Sequence, residues 1–158
     1  MKIDAIILAA GKGKRMQSAL PKVLQQVAGK ALLQHVLDAS LELKSCQPHI
    51  VVGDQASLVK ASVSAPKNSK WPKQAKQLGT GHAVKQSLKG LRAGSIALIL
   101  YGDVPLVKSS TMSKLVKAAG KSSLALLSFE QQTPKAMAES SEVPEARYKV
   151  LLKRKTQR

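Results

Sequence analysis

The sequence predicts an α/β fold in which a mostly parallel sheet carries helices on both faces. Two observations lead to this class. Short apolar runs of strand length recur along the chain, and segments with helical spacing of apolar residues separate them. Because parallel strands need long crossover connections, this alternation favours a parallel sheet. The 158 residues show no internal repeat and are enough for one domain with a sizeable core.

Four apolar runs are predicted strands. The first is Ile3–Leu8, which ends at a glycine-rich loop, and the second is His49–Gly53, "HIVVG". The third is Ser95–Asp103, "SIALILYGD", which runs into an acidic turn, and the fourth is Leu124–Phe129. Ligands of parallel α/β sheets bind beyond the carboxyl ends of the strands. Both the glycine-rich loop and the acidic turn fall there.

Helical spacing of apolar residues predicts four helices between these strands. Residues 64–73 are polar and rich in Pro and Lys, which predicts a loop. Gly120 closes the last helix. The predicted helices are Leu32–Leu41, Ser57–Val63, Val84–Leu91 and Leu115–Ala119.

Composition places the chain among ordinary globular proteins. Apolar residues make up 44% and charged residues 22% of it. No apolar run reaches the ~18 residues of a membrane span, and no secretory signal precedes the first strand. The single cysteine, Cys46, excludes an internal disulfide and a cysteine-based metal cluster. These features predict a cytoplasmic protein with no membrane partner.

The net charge is strongly positive. Twenty-six Lys and Arg against nine Asp and Glu give +17, which favours anionic partners, from nucleotides to nucleic acid. The lysines are scattered, however, and one Phe, one Trp and two Tyr offer few rings on which bases could stack. Nucleic acid is therefore a disfavoured partner. A basic nucleic-acid-binding protein remains as an alternative function.

The stretch "LAAGKGKRM", Leu8 to Met16, is a glycine-rich loop that follows the first strand directly. It matches neither the Walker pattern nor the dinucleotide pattern, since Met16 stands where the third glycine of the latter belongs. Glycines let backbone N–H groups approach phosphate oxygens, and cations neutralise a leaving pyrophosphate. Alone, such a loop is equally typical of a structural turn. The candidate phosphate-binding residues are Gly11, Lys12, Gly13, Lys14, Arg15 and the more distant Lys22 of "LPKVL".

Two further elements carry candidate chemistry. Asp103 in "YGDVPL" follows the third strand, where a carboxylate binds Mg²⁺ together with substrate phosphates, although an Asp in a turn is the simpler interpretation. The segment "QAKQLGTGHA" offers the amide of Gln74, which suits the edge of a base, and places Gly79 and Thr80 before a helix. His82 lacks the partners of a catalytic set, so a general-base role is disfavoured.

Three blocks together are far more specific than any one of them. "LAAGKGKRM…LPKVL…GK…LQHV", "QLGTGHAV" and "LYGDVPL" resemble the nucleotidyltransferase domain of the bacterial bifunctional UDP-N-acetylglucosamine pyrophosphorylase/glucosamine-1-phosphate acetyltransferase family, over about Ile3 to Pro134. The resemblance implies a Rossmann-like nucleotide-diphospho-sugar transferase fold. It also implies an enzyme that uses Mg²⁺ to join UTP to N-acetylglucosamine 1-phosphate and releases pyrophosphate. Lys14 stands where the family usually has Thr.

The resemblance also implies roles for individual residues. Arg15 and Lys22 would act in catalysis by neutralising phosphate charge, and Asp103 would bind Mg²⁺. The sugar phosphate would attack the α-phosphorus itself, so no protein nucleophile is required. The implied nucleotide-binding residues are Leu8, Ala9, Gly11, Lys12, Lys22, Gln74, Gly79, Thr80, Tyr101 and Gly102.

The family's second half, which supplies sugar contacts, a second metal ligand and the acetyltransferase domain, has no counterpart in this sequence. We therefore expect a UTP site without the acceptor site, little or no turnover, and no family trimer. A non-catalytic UTP-binding remnant is the alternative to an active transferase.

Residues 1–135 are the predicted nucleotidyltransferase part, and residues 136–158 are a separate tail. After "TPK" the family continues with Gly-Tyr-Gly-Arg-Ile-Val, whereas this chain has Ala-Met-Ala-Glu-Ser-Ser. The codons GGC TAT GGC CGA ATC GTC, read one base late, encode the residues found here. The same shift across "ARYKVLLKRKTQR" recovers the next family block. We therefore predict that a one-base deletion near codon 135 puts the tail out of frame and leaves it disordered.

Overall fold

The structure is a computed structural model that describes residues 1–11, 13, 18–120 and 123–128, and the backbone of residues 129 and 148–154. It has two compact units, Met1–Met112 and Ser113–Arg158, which are described separately. This division falls after Met112, whereas the sequence analysis divides the chain after Lys135. In chain order the elements are β1 (Ile3–Ala9), β2 (Gln26–Val27), β3 (Lys30–Ala31), α1 (Leu32–Leu41), β4 (Cys46–Val52), α2 (Ala56–Ser62), α3 (Thr80–Ser87), β5 (Ile96–Tyr101), α4 (Ser109–Ala119), β6 (Ser123–Phe129) and β7 (Tyr148–Arg154).

Three parallel strands form the sheet of the first unit, in the order β4-β1-β5. The register places Leu8 of β1 beside Val51 of β4 and Tyr101 of β5. Every position of β1 except the half-buried Leu8 is buried, because α1 and α3 both pack against β1 and β4. The predicted α/β class with a parallel sheet is confirmed.

All four predicted helices are present. The first has the predicted bounds, Leu32–Leu41, and the other three differ at one or both ends. The helix predicted over Val84–Leu91 begins earlier, at Thr80, and its last predicted turn is a 3-10 turn at Leu88–Gly90. Ala83 of α3 packs in one apolar cluster with Ile6 of β1. Gly120 has φ +53° and donates its N–H to Val116 O, which is the helix closure that the sequence predicts.

The loop predicted over 64–73 is present, but its last residues run along the sheet. Lys70 and Lys73 form isolated parallel bridges with His49 and Val52 of β4. Sequence reasoning missed this pairing because Pro72 and the lysines break any apolar strand pattern. These bridges place Gln74 beside the carboxyl end of β4.

A buried polar cluster lies at the amino-terminal side of the sheet. Asp4 is 0% exposed, and its carboxylate accepts hydrogen bonds from the Arg92 backbone N–H at 3.0 Å and from Arg92 Nε at 3.0 Å. His49 Nε2 lies 3.1 Å from Asp4 Oδ1. Burial by itself raises the pKa of Asp4, but hydrogen bonds from Ser95, Arg92 and His49 outweigh it and hold the pKa below its ordinary value. The cluster ties the segment before β5 to β1 and β4.

In the second unit, β6 pairs with β7 in an antiparallel ladder over seven residues. The predicted fourth strand therefore exists, but its described partner is β7. Within the tail that the sequence predicts to be disordered, Tyr148–Arg154 forms β7, and its run of Tyr, Val and Leu is typical of a strand. The remainder of the tail, 136–147 and 155–158, lies outside the described residues.

Candidate functional site

A cleft of about 370 Å³ opens at the carboxyl ends of β1 and β5. Eight of the predicted site residues line it, although they come from four separate segments of the chain. Their convergence follows from the parallel sheet, which brings the ends of β1 and β5 side by side. These eight residues are Leu8, Gly11, Lys22, Gln74, Gly79, Thr80, Tyr101 and Asp103.

Four predicted site residues are not found in the lining of this cleft. Two lie elsewhere in the first unit, and two are outside the residues that the structure describes. Ala9 is buried and lines a neighbouring cavity of about 280 Å³ instead. Gly102 is buried and is not among the residues that line the cleft. Lys12 and Arg15 lie outside the described residues.

Gly102 is required by the close approach of two strand ends. Its N–H donates to Leu8 O at 3.0 Å, which joins the residue after β5 to the end of β1. A Cβ at this position would lie 2.9 Å from Leu8 O and 3.2 Å from Leu33 Cδ1. The glycine of "YGDVPL" therefore permits the strand spacing that carries Asp103 into the cleft.

Gly13 is the second glycine that the site requires. Its φ of +57° lies in the left-handed region, and a Cβ there would lie 3.0 Å from Lys22 Cβ. Gly13 thus lies directly against Lys22, whose side chain is 45% exposed.

Lys22 and Asp103 form an ion pair, with Lys22 Nζ 2.7 Å from Asp103 Oδ2. Sequence reasoning gave the lysine to phosphate and the aspartate to Mg²⁺, and the structure places the two groups in contact. The Asp103 side chain is 27% exposed, so a ligand in the cleft can reach it.

Gln74 is 4% exposed and tightly held. Its backbone N–H donates to Val52 O at 2.8 Å, which extends the pairing beside β4. Its side-chain Nε2 donates to Gly79 O at 3.1 Å and lies 3.1 Å from His82 Nδ1. The amide predicted to contact a base is thus fixed within the wall of the cleft.

Gly13 of the predicted phosphate loop also lines the cleft, and the structure adds four cleft residues that sequence reasoning missed. Gln77 is the most informative, since its Nε2 donates to Ala10 O at 2.6 Å and links the "QLGTGHA" segment to the end of β1. Its position inside that motif could have identified Gln77 as a candidate site residue. For the others, the sequence offers only that they are close in the chain to predicted site residues. The four are Ala10, Val23, Gln77 and Ala83.

The donor set of the cleft suits a cation that arrives with phosphates. Asp103 is the one carboxylate among the described residues that line it, and those residues contain no group of three or more His, Cys, Asp and Glu that could hold a metal alone. Mg²⁺ is commonly bound through one or two carboxylates, water and substrate phosphates, so these residues fit it.

Across the part of the chain that the structure describes, no helix is long and apolar enough to span a membrane.

Comparison with protein families gives a match over residues 5–154 to the MobA-like NTP transferase domain. Among curated proteins, the bifunctional protein GlmU of Nitrosomonas eutropha is 50% identical over 134 residues, which cover 85% of this chain and 29% of that protein. The chain thus spans less than a third of this relative's length.

Two solved structures share the fold. The 4-diphosphocytidyl-2C-methyl-D-erythritol synthase of Anaerococcus prevotii has a TM-score of 0.64 at 22% identity, over 84% of this chain and 56% of that chain. A manganese complex of Rv0371C from Mycobacterium tuberculosis has a TM-score of 0.62 at 20% identity, over 75% of this chain and 60% of that chain.

Proposed function

Because the chain belongs to the MobA-like NTP transferase family, we propose that its cleft binds UTP with Mg²⁺ for uridylyl transfer to N-acetylglucosamine 1-phosphate. The observation that carries the proposal is the presence of the Lys22–Asp103 pair and the held amide of Gln74 in one cleft. The Lys22–Asp103 pair suits a triphosphate with its metal ion, and the Gln74 amide suits the edge of a base. The 50% identity to a bifunctional GlmU supports the choice of substrates.

In the proposed mode of binding, the two ends of the nucleotide contact different residues of the cleft. Gln74, Gly79 and Thr80 lie on one wall, where an amide oxygen and backbone groups meet a base edge. Gly11, Gly13 and Lys22 lie near the end of β1, where backbone N–H groups and an ammonium meet phosphates. The nucleotide would therefore lie across the carboxyl ends of the strands.

In the proposed reaction, a phosphate oxygen of the sugar phosphate attacks the α-phosphorus of UTP. The new P–O bond forms as the bond from the α-phosphorus to the bridging oxygen breaks, and pyrophosphate leaves with that electron pair. Lys22 neutralises charge that grows on the phosphates, and Lys12 and Arg15 of the glycine-rich loop are proposed to do so for the pyrophosphate. No protein nucleophile takes part.

Mg²⁺ is the proposed cofactor, and Asp103 is the residue that would hold it. When bound, the ion neutralises phosphate charge and orients the triphosphate. The manganese complex of a structural relative is consistent with a divalent cation in this fold.

Calorimetric titration of the full chain with UTP and ATP, each with Mg²⁺, tests the proposal. We expect UTP to bind more tightly than ATP. We also expect Lys22→Ala to weaken UTP binding by roughly 10- to 100-fold, since a hydrogen bond to a charged group contributes about 1.5–3 kcal/mol. Lys30→Ala is the matched control, because Lys30 pairs with Asp38 outside the cleft.

Equal binding of UTP and ATP, or no binding of either, would refute the proposal. Salt-sensitive binding of nucleic acid that UTP does not displace would favour the alternative of a basic nucleic-acid-binding protein. A pyrophosphate-release assay with UTP, Mg²⁺ and N-acetylglucosamine 1-phosphate measures turnover, which we expect to be low or absent in this chain. Binding of UTP without turnover is the result that the non-catalytic remnant predicts.

A further inference from the structure

Gln77 connects the two sides of the cleft through one hydrogen bond. Its Nε2 donates to Ala10 O at 2.6 Å, across 67 residues of sequence. Gln77 lies between Gln74 and Gly79, which the proposed function assigns to the base. Ala10 follows β1 directly and precedes Gly11, which the proposed function assigns to phosphate. The hydrogen bond therefore spans from the base side of the cleft to its phosphate side.

The donor and the acceptor of this bond are both determined. Ala10 O is a carbonyl oxygen that can only accept, so the atom that faces it is the NH₂ nitrogen of Gln77. In the described part of the chain, no other group forms a hydrogen bond with the Gln77 amide. No second partner therefore competes for its orientation.

Ala10 is the fixed end of the bond. It is 8% exposed and packs in an apolar cluster with Ile6, Val51 and Ala83. Gly53 lies against its carbonyl group, since a Cβ at Gly53 would be 3.0 Å from Ala10 O. The position of the acceptor is therefore set by its own surroundings and not by Gln77.

Residues 75–78, by contrast, have few contacts that hold them in place. All four are exposed, and Leu78 is 69% exposed. Within the residues that the structure describes, their one backbone hydrogen bond is local, from Leu78 N to Lys76 O at 3.0 Å. The hydrogen bond of the Gln77 side chain is the one described bond that leads from these four residues to another part of the chain. Gln77 therefore determines how far this segment lies from the end of β1.

The same contact lies at the boundary of the cleft. Gln77 and Ala10 both line the cleft of about 370 Å³ and also the neighbouring cavity of about 280 Å³. The hydrogen bond thus lies where the two cavities adjoin. Without it, the distance between the two sides of the cleft would no longer be fixed at this point.

From these contacts we infer that Gln77 is a positioning residue for the nucleotide: by donating to Ala10 O, it fixes the spacing between the base side and the phosphate side of the cleft, so that one UTP molecule reaches both. A ligand with two contact regions gains the affinity of both only when their spacing is set before it binds. The inference rests on the proposed function, because it concerns how the same cleft accommodates its nucleotide. Gln77 acts through Ala10 and through the backbone of its own segment.

The test compares dissociation constants for UTP and UMP, each with Mg²⁺, in the full wild-type chain and two variants. UMP has the base and the α-phosphate but lacks the two outer phosphates, so its binding depends less on the spacing. Gln77→Met keeps the length of the side chain and removes the donor. Gln47→Met is the matched control, because the Gln47 amide also donates to a backbone carbonyl, Asn68 O at 3.1 Å, and Gln47 does not line the cleft.

We expect Gln77→Met to weaken UTP binding by about 3- to 10-fold and UMP binding by less than about 2-fold, in line with the loss of one hydrogen bond between neutral groups. The preference for UTP over UMP should therefore fall in Gln77→Met, whereas Gln47→Met should keep the wild-type preference. The urea midpoint of Gln77→Met should equal that of the wild-type chain, because Gln77 is exposed. A merely structural role would instead lower the midpoint and weaken both nucleotides alike.

An unchanged preference for UTP over UMP in Gln77→Met, or equal weakening of both nucleotides, would overturn the inference and leave the proposed function intact. If the wild-type chain fails to bind UTP, the proposed function falls and this inference falls with it.

A ligand-free measurement on the wild-type chain needs no variant that folds. NMR follows hydrogen exchange of the side-chain NH₂ groups of the glutamines. We expect the Gln77 NH₂ to exchange about 5-fold or more slowly than that of Gln26, an exposed residue whose side chain forms no described hydrogen bond. Exchange as fast as that of Gln26 would overturn the inference, because Gln77 would then not be held by Ala10 O.

Discussion

Lys22 Nζ lies 2.7 Å from Asp103 Oδ2, so the ammonium occupies the position beside the carboxylate where a cation would bind. Both side chains keep contact with solvent, at 45% and 27% exposure. Exposed ion pairs of this kind are typically worth about 0.2–1 kcal/mol, so a ligand can break this one at small cost. A metal triphosphate would supply Asp103 with its cation and Lys22 with its anion in a single binding event.

Lys22→Gln should therefore bind Mn²⁺ more tightly than the wild-type chain when no nucleotide is present. Loss of a competing ammonium worth about 0.2–1 kcal/mol corresponds to roughly 1.5- to 5-fold in affinity. Electron paramagnetic resonance of free Mn²⁺ measures the change. Lys30→Gln is the control, because Lys30 forms a pair of similar length, 2.8 Å, with Asp38. Unaltered Mn²⁺ affinity in Lys22→Gln would mean that Lys22 and the cation do not share Asp103. Asp103→Asn should abolish Mn²⁺ binding both in the wild-type chain and in Lys22→Gln.

Gly102→Ala should destabilise the chain and weaken UTP binding together. The added Cβ would lie 2.9 Å from Leu8 O, a backbone atom that cannot move aside without shifting β1. Overpacking of this kind costs about 1–3 kcal/mol, and the displacement would carry Asp103 with it. Urea unfolding and UTP titration measure the two effects.

Gly81→Ala is the control for that substitution. Nothing lies within 4 Å of a Cβ at Gly81, and the residue is inside α3. We expect its free energy of unfolding to be unchanged or raised by up to about 1 kcal/mol, as for Gly to Ala in a helix. If Gly102→Ala behaves like Gly81→Ala, the strand spacing at Leu8 is not as tight as described.

Asp4 should make stability depend on pH in the acid range. Its pKa is lowered in the folded chain, because hydrogen bonds from Ser95, Arg92 and His49 outweigh the opposing effect of burial. A lowered folded pKa stabilises the chain above the unfolded value of about 3.9, and that contribution is lost as the pH falls through the folded pKa. The free energy of unfolding should therefore fall as the pH drops below the unfolded pKa of about 3.9.

Asp4→Asn isolates this contribution in urea unfolding across the same pH range. We expect the variant to lose about 1.5–3 kcal/mol at neutral pH and to show a flatter acid limb. Asp38→Asn is the control, since Asp38 is 43% exposed in its pair with Lys30 and surface pairs contribute less than about 1 kcal/mol. An acid limb as steep in Asp4→Asn as in the wild-type chain would assign the pH dependence to other groups.

The sequence was sufficient to predict the parallel strands β1, β4 and β5 and most of the cleft. Apolar runs define strands locally, and strand ends in a parallel sheet converge whatever lies between them. Leu8 and Asp103 could therefore be placed at one site without knowledge of the intervening chain.

Contacts between distant side chains could not be predicted in this way. The Asp4 and Arg92 side chains meet across 88 residues, and Asp4 sits inside a run that reads simply as an apolar strand. The pairing of Lys22 with Asp103 and the contact of His82 with Gln74 likewise depend on side-chain geometry that periodicity does not encode. Sequence reasoning assigned roles to Lys22, Gln74 and Asp103 one by one, and it gave none to Asp4 or Arg92.

That a one-base deletion puts residues 136–158 out of frame remains a prediction. Two findings count against a segment that never packs: the family match reaches residue 154, and β7 at Tyr148–Arg154 pairs with β6 over seven residues. The frameshift reading has a different support, since a one-base shift recovers two family blocks from the tail at the right separation.

Sequencing of the gene decides whether residues 136–158 are out of frame or are encoded in the frame of the rest of the chain. If the tail is out of frame, one base is missing near codon 135, and its restoration replaces Ala136–Ser141 with Gly-Tyr-Gly-Arg-Ile-Val. We expect that result. The restored protein should also bind UTP at least as tightly as the present chain, because the nucleotide-binding residues of the cleft precede codon 135. A gene that reads cleanly in the present frame, with homologous genes encoding the same tail, would refute the frameshift and leave β7 as a genuine strand of this protein.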